Sequence, residues 1–193
     1  MQNDLIRKRL NTSADIKISI SNDEQLVSLI MKVADEIVAA FNSGNSVYFC
    51  GNGGSAADAQ HLAAEFSGRF YLDRKPLPSE ALHCNTSFLT AVGNDYGYEN
   101  IYARLIEAVG KPGDILIGIS TSGNSVNILK AFDTARTKGM ITVGFSGGNG
   151  GKMEGTVDFL IKIPSLDTPR IQEAHITVGH IICEIVESNL FSK

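Results

Sequence analysis

The chain is short of several things, and each shortage removes a class of function. Its three cysteines, Cys50, Cys84 and Cys183, form no Cys-x-x-Cys pair, so neither a thiolate metal site nor a dithiol redox motif is spelled out. An odd, scattered set suits buried thiols in a reducing compartment rather than a disulfide framework. Cations are outnumbered, with 17 Lys and Arg against 21 Asp and Glu and a net charge of -4. No general field then draws the protein to nucleic acid or to an anionic membrane, and any anion must be held by loops and helix ends. No apolar run approaches the roughly 18 residues of a spanning helix. The first ten residues carry Asp4, Arg7, Lys8 and Arg9 and lack the apolar core of a secretory signal. The expectation is a soluble, cytoplasmic protein.

What is present points to one folded unit. With 193 residues and 43% hydrophobic content there is enough apolar material for one substantial core. Two helices are predicted first, over 3–20 and 23–42, the second with Leu26, Leu29, Ile30, Val33, Ile37 and Phe41 on one stripe. After them strands are expected at 46–50, 80–84, 114–119, 140–146 and 157–163. Helices are expected at 55–68, at 86–109 with a glycine break, at 125–138 and from Pro169 to about residue 190, with Asp167 or Thr168 as its cap and Pro169 first in the helix. Strands alternating with helices imply parallel crossovers and a sheet covered on both faces, an α/β three-layer sandwich. The chain divides into leading helices, 1–44, and an α/β core, 45–193. A sheet already flanked by crossover helices leaves no room for the stripe of the leading pair, which points to subunit packing.

Two loops stand where a strand gives way to a helix. The first, Gly51-Asn52-Gly53-Gly54-Ser55-Ala56, follows the β-prone Val47-Tyr48-Phe49-Cys50 and satisfies a G-x-G-x-x-A pattern. A dinucleotide site also wants an acid at the end of the next strand, about 20 residues on. That distance lands in Tyr71-Leu72-Asp73-Arg74-Lys75, ahead of prolines, so the dinucleotide reading is set aside. What remains is a tight turn whose free backbone N–H groups can hold hydroxyls or an anion. The second loop, Ser120-Thr121-Ser122-Gly123-Asn124-Ser125, gathers four hydroxyls at a helix start. A cap needs one, and four together with the helix dipole suit a phosphate monoester. The lysine of a Walker loop is missing, which speaks against nucleotide hydrolysis.

Four residues carry the candidate chemistry. His61 and Glu65 lie four apart on a predicted helix, so one face presents both and they can share a metal, a proton or a substrate. On the last helix Gln172, Ile176 and His180 form an i, i+4, i+8 row, with His180 among Val178, Ile181 and Ile182. An imidazole in that setting is either a satisfied core group or one tuned for acid/base or metal work. His83 and His175 have no comparable partners and are read as structural.

These segments, GNGGSAADAQHLAAEFSGRF at 51–70, VGNDYG at 92–97, ISTSGNS at 119–125 and RIQEAHITVGH at 170–180, resemble the sugar-isomerase (SIS) domain and, within it, the phosphoheptose isomerases. The resemblance implies a five-stranded parallel sheet in a helical sandwich, a homotetramer with sites at subunit interfaces, and no nucleic-acid or membrane partner. It implies conversion of D-sedoheptulose 7-phosphate to D-glycero-D-manno-heptose 7-phosphate, the first step towards a nucleotide-activated heptose for surface polysaccharide such as lipopolysaccharide. It implies one zinc ion held by His61, Glu65, Gln172 and His180, from segments meeting at an interface. Gln172 could instead bind a sugar hydroxyl. Ser120, Thr121, Ser122 and Ser125 are implied to hold the phosphate, and Asn52, Gly53, Gly54, Ser55, Glu65, Arg69, Asn94, Asp95 and Gln172 the rest of the sugar. Glu65 as carbon base and His180 as its acid/base partner fit an enediol-type proton transfer. Some relatives carry an acid just before Arg-Ile-Gln where this chain has Pro169, and Asp167 is the available substitute. Two rivals share the fold: an isomerase of another phosphosugar, and a non-catalytic SIS protein that binds a replication initiator. The latter lacks the counterparts of Glu65 and His180.

Overall fold

Five strands pair side by side as the alternation predicts. In the computed structural model, which describes residues 2–191, they are β1 Val47–Gly51, β2 Ser79–Ala81, β3 Ile115–Ile119, β4 Ile141–Gly147 and β5 Phe159–Ile163. All are parallel, in the order β2-β1-β3-β4-β5. The central strand, Ile-Leu-Ile-Gly-Ile, is buried at every position, the mark of a strand covered on both faces. Its side chains alternate between two cores. Ile115, Ile117 and Ile119 join one, and Leu116 joins the other.

Seven α-helices lie among the described residues: α1 Gln2–Ser21, α2 Glu24–Asn42, α3 Gly54–Ser67, α4 Thr86–Tyr96, α5 Ile101–Val109, α6 Val126–Thr137 and α7 Thr168–Phe191. One face is packed by α2, α3 and α7 through Val33, Ile37, Leu62, Phe66, Val178 and Ile182 against Phe49, Ile117, Phe145 and Ile161. The opposite face is packed by α4, α5 and α6, with Val92, Tyr102, Ile106, Ile128 and Phe132 around Cys50 and Leu116. Gly118 permits that approach, because a Cβ there would collide with the Phe132 ring.

The glycine break expected within 86–109 falls at Gly97 (φ +86°), followed by a 3-10 turn over Tyr98–Asn100. Three other expectations are corrected. β2 stops at Ala81, since after one more bond, Leu82 N–H to Phe49 O at 2.9 Å, the chain turns away. α7 opens on Thr168, with Asp167 O accepting from Ile171 N at 2.9 Å, so Asp167 is the boundary residue and Pro169 comes second in the helix. Finally, the stripe of α2 is not left over: Leu26, Ile30, Val33 and Ile37 are buried within the chain, against α7 and β5. Only α1 is left largely uncovered, with Ile20 buried and Leu5, Ile6, Leu10 and Ile18 exposed.

The strand order fixes where a ligand can sit. β1 leads to β2 on one side and β3 leads to β4 on the other, so the chain reverses direction across the sheet between β1 and β3. Crevices at the carboxyl ends of such strands are where open α/β sheets bind ligands. Both loops lie there, because Gly51 pairs with Ile119 in the β1–β3 register.

Candidate active site

The first loop is built to leave β1 and enter α3 with no slack. Gly51 has no room for a side chain, since a Cβ would collide with Ser55 O, and Gly53 has the positive φ (+55°) that glycine accommodates. Ser55 is buried, and the Tyr102 hydroxyl donates to Gly51 O. Asn52 and Asn127 exchange amide hydrogen bonds of 2.9 and 2.8 Å, and the Tyr98 hydroxyl donates to Asn52 Oδ1 at 2.9 Å. The first turn of α6 is thereby tied to the first loop. Sequence reasoning missed Asn127, Tyr98 and Tyr102, whose partners lie 46 to 75 positions away.

The second loop keeps its hydroxyls together. Ser120 is buried, its Oγ 2.9 Å from Ser125 Oγ and 3.5 Å from Ser122 Oγ. Ser125 precedes α6 but makes no side-chain cap bond, so the helix N-terminus keeps unused N–H groups beside that hydroxyl cluster. Thr121, Ser122 and Asn124 line a cavity of about 200 Å³ together with Gly147, Gly148, Asn149, Ser165 and Thr168. Those last five were not read from sequence. They come from the end of β4, the segments after β4 and β5, and the first residue of α7, and only the sheet order brings them here.

The third feature lies between α3 and α7. Gly179 lets the helices close up, since a Cβ there would stand 2.6 Å from Leu62 Cδ1. His61 adjoins Leu62 and His180 adjoins Gly179. The two imidazoles consequently meet, Nε2 to Nε2 at 3.0 Å, while Glu65 Oε1 is 2.9 Å from the same His61 Nε2. Residues 119 positions apart thus share one spot. α3 and α7 of a single chain suffice for this convergence. Gln172 lies two turns earlier on α7, about 12 Å along the axis from His180. There its Nε2 sits 2.6 Å from where a Gly54 Cβ would be, so it packs directly against the first loop, where only glycine leaves it room.

The donor set fits a metal cation. One His61 nitrogen carries either one proton or one lone pair, yet faces both a carboxylate oxygen and a second ring nitrogen. If it donates to Glu65 it has no lone pair for His180, and if it accepts from His180 it opposes the carboxylate. A cation among the three satisfies all of them. The three donor atoms lie within 4.8 Å of one another, and a tetrahedral ion with bonds of about 2.0–2.1 Å asks for separations of roughly 3.3 Å. Small outward movements meet that. Two imidazoles and a carboxylate are ordinary zinc ligands.

Other predicted site residues stand apart from these clusters. Asn94 and Asp95 are exposed in the last turn of α4, Asn94 Nδ2 donating to Asp95 Oδ1 at 2.8 Å, and Arg69 is exposed just past α3. His175 is wholly buried, with Nε2 3.1 Å from Ser146 O, and desolvation holds its pKa down at about 4. Burial also lowers the pKa of His83, against a backbone hydrogen bond to Ala56 that raises it. Burial pushes the Cys50 and Cys183 thiols well up, so both stay protonated. Sequence reasoning also missed a buried ion pair, Arg74 with Glu187, at 2.9 Å.

Known proteins carry the same architecture. The SIS domain, as a family, matches residues 15–147. A phosphoheptose isomerase of Aneurinibacillus thermoaerophilus is 53% identical over 189 residues, covering 98% of this chain and 96% of that protein. Phosphoheptose isomerase 2 of Campylobacter jejuni is 53% identical over 191 residues, covering 99% and 95%. The solved phosphoheptose isomerase of Francisella tularensis superposes with a TM-score of 0.93 at 34% identity, covering 97% of this chain and 99% of that one. That of Neisseria gonorrhoeae gives 0.91 at 36%, covering 97% and 100%. Matched end to end in sequence and in backbone, the chain belongs to the phosphoheptose isomerase family of SIS-domain proteins.

Proposed function

We propose that the protein converts D-sedoheptulose 7-phosphate to D-glycero-D-manno-heptose 7-phosphate. The observation that carries this is the meeting of Glu65, His61 and His180 within 3.0 Å contacts on helices joined to a phosphate-type crevice. Ketose-to-aldose conversion removes a proton from the carbon beside a carbonyl, holds an enediol, and returns the proton to the neighbouring carbon. Glu65 takes and returns that proton; its Oε1 is engaged by His61, which leaves the other oxygen for this transfer. His180 moves the proton between the two sugar oxygens through Nδ1, the ring nitrogen that does not face His61. Ser120, Thr121, Ser122, Ser125 and the α6 N-terminus grip the phosphate, and that remote contact orients the reacting carbons against Glu65. Asn52, Gly53, Gly54, Ser55 and Gln172 meet the sugar hydroxyls at the first loop, and Arg69, Asn94 and Asp95 complete the site from a neighbouring subunit. His61, Glu65 and His180 would hold zinc, which when bound would polarise the carbonyl, while Gln172, lying beside Gly54, serves the sugar rather than the ion.

The chain acts as one SIS domain in a tetramer. The exposed Leu5, Ile6, Leu10 and Ile18 of α1 supply an apolar surface for that assembly. Three free thiols, one of them exposed, suit the cytoplasm, where the product enters nucleotide-activated heptose synthesis for lipopolysaccharide or a related glycan. Incubation with sedoheptulose 7-phosphate, followed by NMR, should show the aldose. Glu65→Gln should lower kcat by about 10²–10⁴-fold with little change in KM. Near-normal turnover by that variant overturns the base assignment. No aldose from any ketose phosphate, with tight binding to an initiator protein, would favour the non-catalytic role.

A further inference from the structure

Behind the histidine pair lie two charges that take no part in its chemistry. The Arg74 and Glu187 side chains are each 3% exposed, with Nε and Oε1 2.9 Å apart. Desolvating two charges is costly, and such a pair persists only where its remaining hydrogen bonds are met. Here they are. Glu187 accepts from the backbone N–H groups of Phe70 at 3.1 Å, Tyr71 at 2.8 Å and Leu72 at 2.9 Å. Arg74 donates to Glu65 O and Phe66 O at 2.7 Å each, and to Gly68 O at 3.3 Å and Lys75 O at 3.1 Å. The guanidinium thus takes up carbonyls that the end of α3 leaves orphaned, while the carboxylate gathers the loop that follows.

The pair reaches the site from both sides. Through its Nη2 it holds the backbone of Glu65 itself. Glu187 stands seven residues after His180, on the same face of α7 two turns on. It also fixes Phe70, whose ring lies 5.7 Å from the His180 imidazole at 30°. We propose that Arg74 and Glu187 are positioning residues that set the separation of Glu65 and His61 from His180, by clamping the end of α3 and the Phe70 loop onto α7. A guanidinium bonded through Nε, Nη1 and Nη2 at once is suited to this because its planar fork fixes direction as well as distance. The expected effect on turnover rests on the function proposed above. The geometry does not, and it can be read in metal-free protein.

The test is the ¹⁵N NMR spectrum of the imidazoles in metal-free protein, wild type against Glu187→Gln and Arg74→Lys. The His61 and His180 resonances should move, while those of His175, buried on Ser146 O, stay in place. Zinc affinity and kcat should both drop by about 10- to 100-fold, with a smaller change in KM. Folded variants with unmoved His61 and His180 signals would overturn the proposal. So would a His175 signal that moves as far, because the pair would then be a general staple. Should Glu187→Gln not fold, Arg74→Lys decides alone, since lysine keeps the charge near Glu187 but cannot reach the Glu65 and Phe66 carbonyls together. A wild-type protein with no heptose phosphate turnover would refute the function and leave the imidazole result intact.

Discussion

His175 shows why neighbouring histidines on one helix have different fates. It is fully buried and bonded through Nε2 to Ser146 O, while its Nδ1 is buried with no partner, so protonation would place a bare charge in the core. Its folded pKa of about 4 lies below the ordinary 6.5, so between those values the unfolded chain binds more protons than the folded one. Its effect on stability is therefore flat above pH 6.5, and stability is lost as pH falls towards 4. At 1.36 kcal/mol per unit the loss amounts to about 3 kcal/mol. Urea unfolding at pH 7 and pH 4.5 should show most of this loss in wild type. His175→Gln, which retains a donor for Ser146 O, should show that much less, and equal pH slopes in the two proteins would remove His175 as the cause. The i, i+4 spacing made the contact of Glu65 with His61 legible from sequence, and the Ser-rich turn made the clustering of the Ser120, Ser122 and Ser125 hydroxyls legible. Arg74 and Glu187 were not legible, because each charge looks like ordinary surface until the fold closes 113 positions between them.

Among the elements, those with strong local signals were read correctly: β3 and β4 from buried apolar runs, α2 from its stripe and α6 from its start. Misreadings arose where the outcome depends on what lies opposite. β2 is cut short because its ladder with β1 extends over three residue pairs, Val47 to Phe49 with Ser79 to Ala81. The stripe of α2 named the buried residues without naming α7 and β5 as their cover. Gly179 belongs to the same class, a glycine inside a helix whose purpose appears only with Leu62 in place. Taken alone, Gly179→Ala gains up to about 1 kcal/mol of helix propensity. Against that, its Cβ would lie 2.6 and 2.7 Å from the two Leu62 methyls, in a core where overpacking costs about 1–3 kcal/mol. The sign of the change should therefore depend on residue 62. Gly179→Ala should destabilise the wild type and stabilise a Leu62→Ala background, a coupling of about 1–2 kcal/mol in a double-mutant cycle of thermal melts. The same wild-type background should lose zinc affinity, because the helices carrying His61 and His180 are pushed apart. Additive effects would mean that the helices do not press on each other at this point.

For the whole molecule, metal binding and turnover should be separable. His61, Glu65 and His180 meet within one chain, whereas Arg69, Asn94 and Asp95 are exposed, as expected of groups that serve a neighbouring subunit. The tetramer proposed above, if held by the exposed apolar side chains of α1, should then control catalysis without controlling the ion. Ile6 and Leu10, 58% and 66% exposed and one helical turn apart, are the residues to change. Replacing both by glutamate removes about 1.5–3 kcal/mol of burial per side chain from each interface copy and adds repelling charge. The helix itself should tolerate the change, since neither residue supports the core of its own chain. Light scattering should then report a species smaller than a tetramer that still binds one zinc per chain and whose kcat on sedoheptulose 7-phosphate has collapsed. Zinc removal by chelation from wild type should do the opposite, abolishing turnover while the tetramer persists, with activity restored on adding the ion back. A dissociated double variant with wild-type turnover would show that each chain works alone and that Arg69, Asn94 and Asp95 have no partner to serve.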